Sequence, residues 1–274
     1  MSKVVQEIEH GTVVDSKLVD LDGNLYVKQY AENKSDDVRH ELLVTGGRVA
    51  QNLEGDITPR IPIKQYNKDV AIHTAEYIEG DHPETDKEWR QVGKTLNSLH
   101  EQNFERLNYG QFQGYTNYTH VGLFRAYHHW NEFLDTNINA YLSSSQNELI
   151  ENQHRQVLEE GWDKSKVPKE PEKAVLHNDL VPSNTLIDDD ECYLIDFDQS
   201  IHGDPLFDLI KAEETLAIRG IDPRPLTQGY GQINNVSEEL EKSYRAYTLS
   251  YEAWSTNITN QPKAERILDR IDEI

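Results

Sequence analysis

Apolar and polar positions change period along this chain, and each change marks an element. Leu18-Val19-Asp20-Leu21-Asp22-Gly23-Asn24-Leu25-Tyr26-Val27-Lys28 alternates about an Asp-Gly-Asn turn, which predicts a β-hairpin with Lys28 on its second strand. Val38, Leu42, Val49 and Leu53 then form an apolar stripe behind acidic Asp36 and Asp37, predicting a helix. Residues 57 to 63, with Pro59 and Pro62, read as a turn and sheet edge, and residues 69 to 80 as a strand running into Gly80. Thr85 and Glu88 have capping-box spacing ahead of Trp89, Val92, Leu96 and Leu99, where a helical region begins. Phe124, Tyr127, Leu134, Ile138 and Tyr141 predict a helix over 124 to 142, and residues 143 to 153 are polar. A proline-marked linker over 164 to 173 leads into three short apolar strands at 174 to 176, 185 to 187 and 193 to 195. A helix over 209 to 218 stops at Gly220, Asp222-Pro223-Arg224-Pro225 is a break, and a last helix from Ser237 carries Tyr244, Tyr247, Tyr251 and Trp254. That aromatic stripe reads as core rather than as a box for a quaternary ammonium ligand.

The strands near residue 180 frame the chemistry. His177-Asn178-Asp179 is followed by Asn184, and Ile195-Asp196-Phe197-Asp198 follows the next strands. Phosphoryl transfer from a nucleotide needs a loop carboxylate to take a proton from the attacking hydroxyl, and oxygen ligands to hold Mg²⁺ against the phosphates. Asp179 fits the first role, Asn184 and Asp196 the second. His177 is expected to hold the loop by hydrogen bonds to the backbone around Asp196, and Asp198 is left without a role. On the early strand, Lys28 can reach nucleotide phosphates as a point charge.

The His-x-Asp and Asn motif, Ile-Asp-Phe-Asp, and the following Gly203-Asp204-Pro205-Leu206-Phe207-Asp208 together resemble the aminoglycoside phosphotransferase family, which includes choline-kinase-like and fructosamine-kinase-like enzymes. The resemblance implies an α+β, two-lobed protein-kinase-like fold: a small β-rich N-terminal lobe over 1–79 with the hinge, and a larger, mostly helical lobe over 80–274. It implies Glu41 as the partner of Lys28, a reduced phosphate-covering loop at Gly11, Thr12 and Ser16, and adenine held by main chain near Glu76, Tyr77 and Ile78. It also implies a buried structural acid at Asp208, a packed structural histidine at His100, and acceptor specificity within residues 104 to 170. The donor is ATP or GTP with Mg²⁺, and the acceptor a hydroxyl of a small molecule such as an amino sugar, choline or another metabolite. A nucleotide-binding pseudokinase and an atypical protein kinase are the alternatives, although nothing resembles the Ala-Pro-Glu end of a protein-kinase activation segment.

Composition narrows the partners. Net charge is −22, from 49 acidic and 27 basic residues among 274. That balance repels nucleic acid and anionic membrane. It fits either adaptation to high salt or an acidic cleft for a cationic substrate, and acid scattered this evenly does not separate the two. The single cysteine, Cys192, excludes an internal disulfide framework. With neither an apolar signal core nor a run of ~20 apolar residues, a cytoplasmic protein is expected. His128 and His129 lack companions at zinc-like spacing, so no structural metal is expected.

Overall fold

The N-terminal alternation pairs as its period requires. In the computed structural model, which describes residues 3–8, 15–21, 24–32, 39–59, 63–66, 70–102, 109–111, 126–144, 150, 152–233, 236–256 and 260–274, five strands form one antiparallel sheet. They are β1 (Lys3–Ile8), β2 (Asp15–Leu21), β3 (Asn24–Glu32), β4 (Ile63–Tyr66) and β5 (Val70–Glu76), in the order β1-β2-β3-β5-β4. Leu21 faces Asn24 at the end of the expected hairpin, while Asp22 and Gly23 lie outside the described residues. Helix α1 (Arg39–Asn52) packs across β3 and β5, burying Leu43, Val44 and Val49.

Everything after β5 is mainly helical. Helix α2 (Asp86–His100) has the capping box its sequence announced: the Thr85 hydroxyl accepts from the Glu88 amide, and the Glu88 carboxylate accepts from the Thr85 amide. Its stripe of Trp89, Val92, Leu96 and Leu99 is buried. Next come β6 (Tyr109–Gln111), β7 (Ala126–Tyr127), α3 (Trp130–Ser143), α4 (Asn152–Gly161), β8 (Ala174–Leu176), β9 (Thr185–Asp188), β10 (Glu191–Leu194) and β11 (Ile201–Gly203). Helices α5 (Pro205–Ile218), α6 (Arg224–Tyr230), α7 (Glu238–Ser255) and α8 (Gln261–Asp272) complete the described elements. The sheet β7-β6-β11-β8 lies against one core built on Trp130, Phe133, Phe207 and Tyr244. The pair β9-β10 lies against a second, built on α2 and Phe197. Fully burying each such side chain contributes roughly 1.5–3 kcal/mol. Among the described residues no helix is long and apolar enough to cross a membrane.

One expectation needs correction. The helix expected from Phe124 begins at Trp130, because Tyr127 pairs with Tyr109 as a strand residue; aromatic residues favour strands, and that pairing overrides the helical spacing. Phe124 itself lies outside the described residues. The Asp222–Pro225 break does separate α5 from α6, and its second half opens α6 with proline in the first turn, where the missing N–H is no loss. Beyond the polar stretch over 143 to 153, α4 carries the fully buried Leu158.

Candidate active site

Two short connections and one helix build the site. Strand β8 ends at Leu176, and the loop that follows carries His177, Asn178 and Asp179 into a single 3-10 turn, Pro182–Asn184, before β9. After β10, Asp196 adopts a left-handed backbone (φ 61°, ψ 64°) and leads into a second 3-10 turn, Phe197–Gln199. Asn178 is left-handed as well (φ 64°). Non-glycine residues adopt this conformation at a cost of order 1–3 kcal/mol, which the surrounding contacts must offset, and such strain gathers at functional sites.

The offsetting contacts come from α5. Asp208, fully buried, receives the His177 amide on Oδ2 at 2.7 Å, the Asn178 amide on Oδ1 at 2.9 Å, and lies 3.0 Å from His100 Nε2. His177 Nε2 meets the Ile195 carbonyl at 2.9 Å, joining the loop to the residue before Asp196 as expected. The Gly203-Asp204-Pro205 segment sets the helix in place. Asp204 caps α5 by accepting from the Leu206 amide, and its other oxygen accepts from the Tyr244 hydroxyl at 2.6 Å. Trp130 Nε1 donates to that same hydroxyl at 3.1 Å, and a Cβ on Gly203 would lie 2.4 Å from the Trp130 ring. Tyr244 and Tyr247 are therefore core, as the sequence indicated.

Beyond this scaffold, Asp196 feels the charge of Asp179, and Asp198 that of both Asp196 and Asp179. Asn184 Nδ2 donates to the Asp179 carbonyl at 2.9 Å and to Asp179 Oδ2 at 3.1 Å. With its nitrogen so committed, Asn184 has Oδ1 to offer a cation. Asp196 is exposed to solvent, yet desolvation by the residues around it and then the charge of Asp179 raise its pKa, against the lowering effects of His177 and the Asp198 amide. Asp198 is pushed well above the ordinary carboxylate range by burial, then by Asp196 and Asp179. Helix α1 lies on this turn: a Cβ on Gly46 would come 2.3 Å from Asp198 Oδ1, so only glycine allows the approach.

Oxygen donors repelling one another fit a hard divalent cation. Among the described residues no three His, Cys, Asp or Glu side chains form a cage for a metal.

Lys28 sits on β3 directly opposite buried Thr74, so both side chains share one face of the sheet. Glu41 lies within α1. Gly11 and Thr12 lie outside the described residues, and Ser16 is on β2. Glu76 ends β5, and the Tyr77 amide donates to the Leu25 carbonyl at 3.1 Å, removing it from the groups able to face adenine. Past Ile78, the Asp81 and Ile187 main chains exchange two hydrogen bonds, pinning the segment to β9.

Sequence reasoning missed Lys211. This α5 lysine is buried, with Nζ 2.6 Å from the Asn178 carbonyl, 2.7 Å from Asn178 Oδ1 and 4.5 Å from the centre of the Tyr251 ring. The available signal was a cation interrupting Leu209-Ile210-Lys211-Ala212, an otherwise apolar helical stretch. A separate cavity of about 560 Å³ between α5, α6 and α7 includes none of the loop acids, and its Glu213 and Arg245 pair with each other.

Residues 60–235 match the family model described as APH, phosphotransferase enzyme family. Among solved structures, a putative fructosamine-3-kinase from Thermobifida fusca is similar over 99% of this chain and 93% of its own, with 18% identity and a TM-score of 0.70. A putative fructosamine-3-kinase from Haemophilus somnus is similar over 100% and 91%, with 16% identity and a TM-score of 0.70. A thermostable mutant of aminoglycoside phosphotransferase APH(4)-Ia, in ternary complex with AMP-PNP and hygromycin B, is similar over 99% and 93%, with 15% identity and a TM-score of 0.66. These likenesses show the two-lobed kinase-like fold. No curated protein matches in sequence.

Proposed function

The chain belongs to the APH phosphotransferase enzyme family, and on that premise we propose that it moves the γ-phosphate of Mg²⁺-bound ATP or GTP to a hydroxyl of a small molecule, with Asp179 as general base. The observation that carries this reading is the convergence of Asp179, Asn184 and Asp196, with Asn184 tied to Asp179 through its nitrogen. Asp179 accepts the proton of the acceptor hydroxyl as that oxygen attacks in line. Asp196 and Asn184 Oδ1 hold Mg²⁺, which when bound supplies positive charge against the phosphate oxygens. Lys28 meets the α- and β-phosphates; the family resemblance implies Glu41 as its partner and Gly11 in the covering loop, and both Gly11 and the Glu41 side chain lie outside the described residues. Adenine is met by the main chain of Glu76 and Ile78, since the Tyr77 amide is already bonded. We assign residues 1–79 to the nucleotide lobe and hinge, and 80–274 to the lobe that carries the base and the acceptor.

The similar APH(4)-Ia complex holds hygromycin B, and an amino sugar or another polyhydroxylated metabolite suits this chain better than choline. The ring of Tyr251, on the helix beside the loop, already carries the Lys211 ammonium against it, which disfavours a second cation there.

Transfer of labelled γ-phosphate from ATP and from GTP to a panel of aminoglycosides, fructosamines, choline and simple sugars tests the reading, at low and at molar KCl. One acceptor class should be phosphorylated. Asp179→Asn should retain nucleotide binding while turnover falls roughly 10²–10⁴-fold. Equal turnover by that variant would remove Asp179 from the mechanism.

A further inference from the structure

Burying an ammonium group costs several kcal/mol unless its partners compensate, and methionine would fill the same space without that cost. The partners of Lys211 therefore indicate what its charge is for. Both atoms it binds belong to Asn178, the residue immediately before Asp179. The bonded carbonyl lies in the same peptide plane as the Asp179 amide nitrogen, and that plane sets the direction in which the Asp179 side chain departs. Asn178 is thereby held on every side: its amide by Asp208, its side-chain nitrogen by the Gln199 carbonyl at 3.0 Å, and its two oxygens by Lys211.

The charged groups around the Lys211 ammonium are Asp179 on the loop, Asp208 on its own helix, and Glu252 on α7, where the Tyr251 ring closes the remaining side. Glu252 is paired with Lys263 at 2.8 Å and accepts from the Thr215 hydroxyl at 3.2 Å. Asp208 is committed to His100 and the two loop amides. Neither of these acids requires Lys211, whereas the loop conformation at Asn178 does.

We propose that Lys211 is a positioning residue: it fixes the Asn178–Asp179 peptide and so aims the Asp179 carboxylate at the acceptor oxygen. This rests on Asp179 being the general base. Lys211 acts through Asp179 and touches neither substrate.

The test uses Mg²⁺-ATP hydrolysis, in which water is the acceptor, with Lys211→Met, Asp179→Asn and the double variant. Lys211→Met should bind Mg²⁺-ATP within about twofold of the parent by calorimetry yet hydrolyse it about 10–100-fold more slowly, the scale of a misplaced group. In the Asp179→Asn background the same change should alter the rate by less than about twofold, because it has no base left to aim. Lys211→Arg, which keeps the charge and donors, should recover most of the rate. A Lys211→Met variant as fast as the parent, beside a crippled Asp179→Asn, overturns this proposal alone. An equal fractional loss in both backgrounds does so too, since it marks a general structural effect. Full activity of Asp179→Asn overturns the base assignment and this proposal with it. Should Lys211→Met fail to fold, Asn178→Gly keeps the left-handed backbone and the Lys211 bond to the Asn178 carbonyl while removing both side-chain anchors, to Lys211 and to Gln199. Gln199→Ala, which leaves the Gln199 carbonyl in place, serves as its control. A slower rate that depends on Asp179 then supports the proposal, and an unchanged rate overturns it.

Discussion

Two sets of carboxylates about a dozen residues apart, Asp208 on one side and Asp196 with Asp198 on the other, have opposite characters. Burial alone would raise the pKa of Asp208, but the His100 hydrogen bond and charge, His177 and the Asn178 amide outweigh it and hold the carboxyl below its ordinary value. Asp196 reaches solvent and Asp198 is half-buried, yet both are raised, by desolvation first and then by neighbouring acids. Asp208 receives two loop amides with His100 beside it, whereas the Asp198 amide bonded to Asp196 does not offset the desolvation and the charge of Asp179. The balance of donors and cations against neighbouring acids, together with position in the fold, separates the structural carboxylate from those suited to a cation.

The largest effect is expected at Asp208. Asp208→Ala leaves two buried amides and His100 without their acceptor and should destabilise the protein by about 3–5 kcal/mol in urea unfolding. A loss below about 1 kcal/mol would make Asp208 no more structural than its neighbours. Another buried ionisable group, His202, sharpens the contrast because it avoids the cost by staying neutral. Burial and then Lys173 lower its pKa from 6.5 to about 4. As pH falls, the unfolded chain takes up the proton first, so stability should decline from near pH 6.5 and level off near pH 4. The loss is up to about 3 kcal/mol, and His202→Gln should flatten that part of the acid-side curve. The smallest effect has the opposite sign. Without divalent cation, the raised pKa of Asp196 means its charged form disfavours the fold at neutral pH. Asp196→Asn should then leave the stability unchanged or raise it slightly, because solvent screens this exposed group. A clear destabilisation would place Asp196 with Asp208.

These two groups were legible in the sequence to different extents. Asp179, Asn184 and Asp196 could be read because phosphoryl transfer demands those groups in that order, and the short strands around them left few places to put them. Asp208 was recognised through the Gly-Asp-Pro segment, whose residues have separate duties: Gly203 admits Trp130, Asp204 caps α5, and Pro205 opens it. What escaped was set by contacts distant in sequence. Lys211 meets Asn178 across 33 positions, and no local period announces such a pair. Tyr127 fitted a helical step but was claimed by Tyr109 across a strand pair. Helix α8 went unread because its Ile267 and Ile271 are apolar positions in a mostly charged segment, buried only once α8 packs on α7.

The most direct measurement is the thermal midpoint with ATP or GTP, with and without Mg²⁺, at low and molar KCl, for the parent and Asp196→Ala. A ligand that binds only the folded state must raise the midpoint, by roughly 5–10 °C for a chain of this size at a hundredfold excess over Kd. A Mg²⁺-dependent rise is expected in the parent, and its loss in Asp196→Ala. A rise of equal size without Mg²⁺, or one that survives in Asp196→Ala, would contradict the assignment of the repelling acids to a nucleotide-bound cation.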